Sequence, residues 1–275
     1  LLLLAMTFPV QAEPLKIASW NMQWLSNTLN KGQMKRNQND YQVIAKYAAQ
    51  LDADIIAVQE VQGKKALKRV FDEQQYNFVV SERRGAQRVG FVIRKGISYR
   101  RHKDLRALKT TQGLRHGVDI TVKSKDSANT LRLLAVHLKS GCFKGNYDTS
   151  SRDVCQKLKN QIPVLEAWID QRADDHQPML ILGDFNRRMK THEKLWQEID
   201  DSEPVNADLM LHTQGIIAEC YNRKYPAFID HLITGRLSTR FVVNNSFRQY
   251  LYSARDRVDF ATLPDHCPIS LSLNL

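Results

Sequence analysis

The chain has no close pair of cysteines and no Cys/His cluster, which excludes a structural zinc site of the usual spacing. After its first residues it has no apolar run long enough to cross a bilayer as a helix, so no stable membrane insertion is expected. It carries no internal repeat, no low-complexity segment and no Gly/Ser-rich linker. One domain is therefore the simplest arrangement for 275 residues. Acid is also scarce relative to base: Asp and Glu number 29 against 40 Lys and Arg, a formal net charge of +11. Such an excess favours a polyanionic partner, either nucleic acid or an acidic lipid surface. A basic protein with scattered charge is the plain alternative, and charge says nothing about fold.

What is present begins with an apolar, uncharged stretch over residues 1–10, followed by Gln11, Ala12 and Glu13. This is the pattern of the apolar core and small-residue cleavage site of a secretory signal, with the basic start missing. The run is too short for a membrane span and contains Pro9. A buried first strand is the rival, but no polar alternation supports it. We expect residues 1–12 to be the remainder of a signal peptide, residues 13–275 to form one domain, and the protein to be secreted or periplasmic. Cys142, Cys155, Cys220 and Cys267 form an even set, which fits an oxidising compartment. Cys142 and Cys155 flank a polar loop and are the natural pair. Cys220 and Cys267 then remain for each other, although sequence alone leaves three connectivities open.

Residues 15–20 alternate weakly and end at Asn21, a strand with an amide at its tip. A polar loop over 26–40 precedes Val43, Ile44, Tyr47, Ala48 and Leu51, which have helical spacing. Residues 54–60 run apolar into Glu60, as suits a strand covered on both faces. A short helix follows over 66–71. Strands are expected over 77–80 and 89–93, then over 118–122 and 131–136, the last ending in His137. Residues 154–169 read as one helix kinked at Pro163. A strand over 179–182 is ended by Gly183, and a short helix covers 195–199. Residues 228–233 form a strand around Asp230, 241–243 add another, and 269–273 alternate cleanly. Strands outnumber helices and often adjoin without one between. That argues for two packed sheets flanked by helices rather than a doubly wound parallel sheet.

Asn21, Glu60, His137, Asp184, Asn186, Asp265 and His266 each sit at or beside the end of an apolar strand. Singly, each is explained as a solvated or turn-forming residue. Asp184 and Asn186 lie two apart and face the same way if the chain stays extended. Asp230 is harder to dismiss: its neighbours are apolar, and a buried carboxylate needs a partner. His266 is the expected one, because His231 points to the opposite face of the same strand. His102, His116, His176, His192 and His212 lie in polar or loop-like contexts and are expected at the surface. Carboxylate and amide oxygens suit Mg2+, with Mn2+ or Ca2+ as alternatives, rather than zinc. With imidazoles beside them to handle protons, the inventory suits hydrolysis of a phosphate ester.

Trp20-Asn21, Gln59-Glu60, His137-Leu138-Lys139-Ser140, Gly183-Asp184-Phe185-Asn186, Ile229-Asp230-His231 and Asp265-His266-Cys267-Pro268 follow one another in a recognisable order. From near residue 15 to its end the chain resembles the endonuclease/exonuclease/phosphatase superfamily. The resemblance implies an α/β fold, a four-layered α/β sandwich of two mainly antiparallel central β-sheets flanked by helices. It implies that Glu60 binds the divalent metal, with Asn21 and Asp265 beside it. Asp184 would orient or activate the attacking water, and Asn186 would hold a phosphate oxygen or that water. His266, backed by Asp230, would stabilise the developing phosphorane, and His137 would be the general acid. Arg115 stands where relatives often carry a phosphate-contacting arginine; an exposed arginine without that role is the alternative. The His-Leu-Lys-Ser context is similar to the deoxyribonuclease I and sphingomyelinase side of the superfamily. There the histidine is paired with a Glu, and Gln87 stands in its place here. A neutral partner would raise the imidazole pKa less.

The function expected is a secreted, divalent-metal-dependent nuclease, an endonuclease acting on DNA or RNA by metal-assisted in-line attack of water. Arg83, Arg84, Arg88, Arg94, Lys95, Arg100, Arg101 and Lys103 crowd one stretch, and Arg187, Arg188 and Lys190 follow Asn186 where a strand would pass. A sphingomyelinase-like phospholipid phosphodiesterase is the alternative, and it needs an exposed apolar hairpin that the sequence does not display. A phosphatase acting on soluble polyphosphates and a catalytically silent nucleic-acid-binding module rank below it. No obligate protein partner is implied.

Overall fold

The computed structural model describes residues 13–124, 128–220, 224–256 and 263–275; the expected signal remnant lies outside them. The first sheet is built from β1 (Leu15–Leu25), β2 (Ile55–Val61), β3 (Tyr76–Val80), β4 (Arg88–Arg94), β11 (Arg248–Gln249) and β12 (Ile269–Leu273), in the order β11-β12-β1-β2-β4-β3. The second holds β5 (Ser98–Arg101), β6 (Val118–Lys123), β7 (Thr130–His137), β8 (Met179–Asp184), β9 (Leu209–Leu211) and β10 (Asp230–Gly235), in the order β5-β6-β7-β8-β10-β9. Neighbours are antiparallel except for one central parallel pair in each sheet, β1 with β2 and β7 with β8.

A parallel pair needs a crossover, and helices supply both. Helix α1 (Gln38–Leu51) joins β1 to β2, and α3 (Asp153–Lys159) with α4 (Ile162–Asp174) joins β7 to β8. Helix α1 starts inside the expected loop because Asn37 and Asp40 form a capping box. The single kinked helix expected over 154–169 is instead two helices. Pro163 sits in the first turn of α4, where its missing N–H leaves no bond unmade. The helix expected over 66–71 is one turn, α2 (Lys64–Leu67), and 241–243 contributes only a bridge between Val242 and Leu273.

Strand alternation sorts the apolar residues into layers. Ile17, Ile55, Ala57, Phe91, Leu133, Leu180, Leu182 and Leu271 share the core between the sheets. Ala18, Trp20, Ile56 and Val58 face the other way, onto Tyr41, Ile44 and Leu51 of α1. Leu134, Val136 and Ile181 face Leu158, Ile162 and Leu165 of the second helical layer. This is the four-layered sandwich. Cys142 pairs with Cys155 and Cys220 with Cys267, closing separations of 13 and 47 residues. In the chain-entropy model these cross-links stabilise by about 3 and about 4 kcal/mol. The second runs from the segment between β9 and β10 to Cys267, two residues ahead of β12, and so ties the two sheets together at one edge.

Strand direction selects that edge. The parallel strands β1, β2, β7 and β8 all run toward it, and the antiparallel β10 and β12 start from it. Asp230 lies opposite Asp184 in register, and Ile269 opposite Ser19. The polar residues at these tips therefore meet.

Candidate active site

At the end of β8 the chain passes so close to β7 that a Cβ on Gly183 would lie 2.1 Å from the Val136 carbonyl oxygen; its φ is +144°. Glycine is required here by packing, and the strand continues through it to Asp184 instead of ending at it. Asn186 then turns, at φ 53°, so it reaches Asp184 through a local turn and not along an extended chain. Its backbone N–H donates to Asp184 Oδ1 at 2.8 Å and its Nδ2 to Oδ2 at 3.1 Å. Asn21 Nδ2, from the other sheet, donates to the same Oδ2 at 3.0 Å. Burial, reinforced by the charge of Asp230, pushes the Asp184 pKa up to about 7 against the pull of His266 and these hydrogen bonds.

His266 Nδ1 lies 2.6 Å from Asp230 Oδ2, the pairing expected from the sequence, and its Nε2 is 4.0 Å from Asp184 Oδ2. Burial opposes a charge on this ring. The carboxylates of Asp230, Asp184 and Asp265 outweigh it and hold the pKa well above the usual value. His231 lies on the opposite face, between Thr213 Oγ1 and the Arg187 carbonyl, and burial pushes its pKa down to about 4.

His137 Nε2 faces Asp184 Oδ2 at 3.4 Å and Glu60 Oε1 at 3.8 Å. Among the described residues its buried Nδ1 has no hydrogen-bond partner, so Gln87 does not take the place of the paired Glu. Burial, then the nearby charges of Arg115 and His266, keep this ring neutral. A neutral ring with one bare buried nitrogen carries its proton on Nε2, toward the two acids. Arg115 is buried rather than exposed. Its guanidinium binds the carbonyls of His137 and Leu138, and burial lowers its pKa to about 10 despite Asp184 and Glu60 nearby.

Glu60 has a left-handed φ of 56°, as do Gln23 at 42° and Trp24 at 55°. Such strain in non-glycine residues persists where the surroundings impose it, commonly at functional sites. Trp24 N–H holds Glu60 Oε2 at 3.2 Å. Gln23, which sequence reasoning passed over, bridges two expected residues. Its N–H donates to Asn21 Oδ1 at 3.0 Å, and its Oε1 accepts from Asp265 N–H at 3.2 Å. The Asp265 side chain is 59% exposed and lies 3.9 Å from His266 Nε2. Only its position between Trp20-Asn21 and the tip could have marked Gln23 in the sequence.

The basic residues divide. Arg187 is buried, bound to Glu193 and to the carbonyls of Cys142 and Gly145, so it shapes a loop and does not line a strand's path. Arg94 pairs with Asp52 and Asp54 at the far end of β2 from Glu60. Arg83 binds the carbonyls of Gln87, Gly113 and Leu114. The run from Arg83 to Lys103 is therefore not one surface. His102, His116 and His212 are half-buried beside Thr121, Asp104 and Thr234, contrary to the surface placement expected.

Three carboxylates, two imidazoles of opposite protonation preference and two amides thus share one opening between two sheets, a donor and acceptor set suited to phosphate-ester hydrolysis. The chain belongs to the Endonuclease/Exonuclease/phosphatase family, whose profile matches residues 18–253. Members of this family are hydrolytic phosphodiesterases, nucleases and phosphatases, and they generally use divalent metal ions. A search of curated proteins finds no match. Among solved structures, TDP2 from D. rerio complexed with a single-strand DNA product has a TM-score of 0.65 at 19% identity, covering 96% of this chain and 100% of that one. The 3′ phosphatase NExo from Neisseria bound to a product DNA hairpin gives 0.62 at 15%, covering 94% and 99%. The human Nocturnin catalytic domain with bound sulfate gives 0.59 at 14%, covering 94% and 92%. At these identities the likeness shows the fold, the α/β sandwich of the deoxyribonuclease I type. Both disulfides are compatible with secretion, and among the described residues no helix is long and apolar enough to cross a membrane.

Proposed function

We propose that residues 13–275 form one divalent-metal-dependent nuclease domain that cuts DNA, and secondarily RNA, at internal phosphodiester bonds in a secreted or periplasmic setting. The observation that carries this reading is the meeting of Asn21, Glu60, His137, Asp184, Asn186, Asp230 and His266 at one opening, tied across the sheets by the bond from Asn21 to Asp184.

The donor chemistry fits a hard cation. Among the described residues Glu60 Oε1 accepts no hydrogen bond, and Gln23 holds Asn21 and Asp265 nearby. Asp184, Asp230 and His266 also bring one ligand atom each within 4.8 Å. His266 as an imidazolium offers an N–H there and no lone pair, so the oxygens around Glu60 are the better seat for Mg2+, Mn2+ or Ca2+. When bound, the cation would neutralise charge on the phosphoryl oxygens. Asp184 takes the proton of the attacking water, and Asn21 and Asn186 hold its carboxylate in place. His266, fixed by Asp230, sets a positive charge where the phosphorane gains negative charge. His137, neutral, keeps its Nε2 proton and offers it as a hydrogen bond to the leaving oxygen, and the water proton taken up by Asp184 is the one available to neutralise that oxygen.

Supercoiled plasmid incubated with magnesium, with and without chelator, tests the proposal on wild type and His266→Ala. Nicking should require both the metal and His266. Nicking that persists in chelator or in the variant would sink the mechanism. One observation favours a phospholipid phosphodiesterase instead: Phe143, Ile216, Ile217 and Tyr225 are exposed. Release of phosphocholine from sphingomyelin vesicles, with plasmid left intact, would put that reading first.

A further inference from the structure

We propose that a cavity beside His266 is a subsite for one unpaired nucleobase, so that the enzyme engages single-stranded nucleic acid in preference to duplex. This deepens the nuclease reading and rests on it. The cavity has a volume of about 300 Å³ and is walled by Phe143, Tyr225, Phe228 and the Cys220–Cys267 disulfide, with Asp230, Asp265 and His266 supplying its polar wall. That size is at the small end of ligand sites and suits one ring system with its sugar. A duplex cannot enter it. A base reaches it only after leaving its stack, and a strand that is already single avoids that cost.

The backbone of the platform is anchored. Phe143 follows Cys142 of the first disulfide; its carbonyl accepts from Arg188 N–H at 2.9 Å, and the Cys142 carbonyl accepts from Arg187 at 2.8 Å. Phe143 is thus anchored to the segment just after Asn186 yet remains 38% exposed. An aromatic ring has only two side-chain torsions, so on an anchored backbone it loses little freedom when a base stacks on it.

The surroundings discriminate between a nucleotide and a lipid. A second hollow, of about 550 Å³, adjoins the first, sharing Arg188 and Ala227, and is lined by Lys144 and Lys190. The single carboxylate on its wall, Glu193, is already bound to Arg187. From His266 outward the surface therefore offers a site for the scissile phosphate, an apolar slot and then a basic trough. A polynucleotide repeats phosphate, base and phosphate in that order, and its charge complements the trough. A phospholipid has one phosphate at the centre and leaves the trough unused.

The test is equilibrium binding without cleavage, read as fluorescence anisotropy in chelator. The probes are a single-stranded octadeoxynucleotide, the same backbone with base-free residues, and the matching duplex. Wild type should bind the base-bearing strand at least about tenfold more tightly than the base-free strand or the duplex. Phe143→Ala, which removes the platform, and Ala227→Trp, which fills the cavity from its rim, should each abolish most of that ratio. Equal binding of base-bearing and base-free strands by wild type would overturn the proposal, as would an unchanged ratio in both variants. Sphingomyelin vesicle binding lost in Phe143→Ala while the oligonucleotide ratio holds would assign the cavity to lipid and overturn it too. Plasmid nicking is read separately, so failure of the nuclease reading is distinguishable from failure of the subsite.

Discussion

Each sheet carries a central parallel pair whose tips reach the same edge, Asn21 and Glu60 in the first and His137 and Asp184 in the second. In the first sheet the ladder breaks before the tip: the pairing shifts register after Asn21, and Gln23, Trp24 and Glu60 take left-handed conformations. The Glu60 side chain stays 14% accessible. In the second sheet the pairing holds through to His137 opposite Asp184, and both side chains are sealed, at 3% and 2%. Burial then drives the Asp184 pKa up to about 7 and that of His137 down. The same topology thus yields one tip that stays partly open to solvent and one sealed tip where Asp184 titrates near 7 beside a His137 held neutral. Backbone register at the last residues makes the difference.

The sharpest way to break this contrast is a pair of substitutions. Asp184→Asn should lower plasmid nicking by roughly 10³-fold at any magnesium concentration, since it removes the base. Glu60→Gln should lose activity that added magnesium partly restores, since it weakens the seat of the cation. The opposite pattern of rescue would reverse the assignment of the two tips.

The dry half should also leave a mark on stability. His231 is buried neutral, with a folded pKa of about 4 below its ordinary value. Its contribution is therefore present above pH 6.5 and is lost as pH falls from there toward 4, at up to about 1.4 kcal/mol per pH unit. Asp184, with a raised pKa, works in the opposite sense over much of the same window: the stability it adds is present below the ordinary carboxylate range and lost as pH rises toward 7. Urea unfolding of wild type against His231→Gln isolates the histidine. The variant should show a shallower loss in acid, and parallel curves would contradict the buried neutral ring.

The smallest effect belongs to the remote end. Arg94→Ala, which breaks partly exposed pairs with Asp52 and Asp54, should cost about 1 kcal/mol or less and leave nicking within about twofold. A large drop in activity would mean that the basic run from Arg83 to Lys103 acts as one surface after all.

The layered sandwich was legible because its strands are local events, apolar runs with polar ends, and their alternation dictates which faces are covered. The short β5, β9 and β11 were not, since strands of two to four residues take their identity from the neighbour they pair with. The partnership of Asp230 with His266 could be read in advance, because a carboxylate among apolar residues must find a donor wherever the chain supplies one. The sequence alone set Asn21, Glu60, His137 and Asp184 at or beside strand ends, but it put Asp230 inside a strand over 228–233, whereas β10 begins at Asp230 and so brings it to the shared edge. Tertiary structure decided how wet each tip is, that Arg187 braces a loop while Arg188 faces the cavities, that His137 lacks a partner in Gln87, and that Phe143 and the Cys220–Cys267 bridge wall one cavity beside His266. Those outcomes depend on solvent exclusion and on groups arriving from distant segments, which no local pattern encodes.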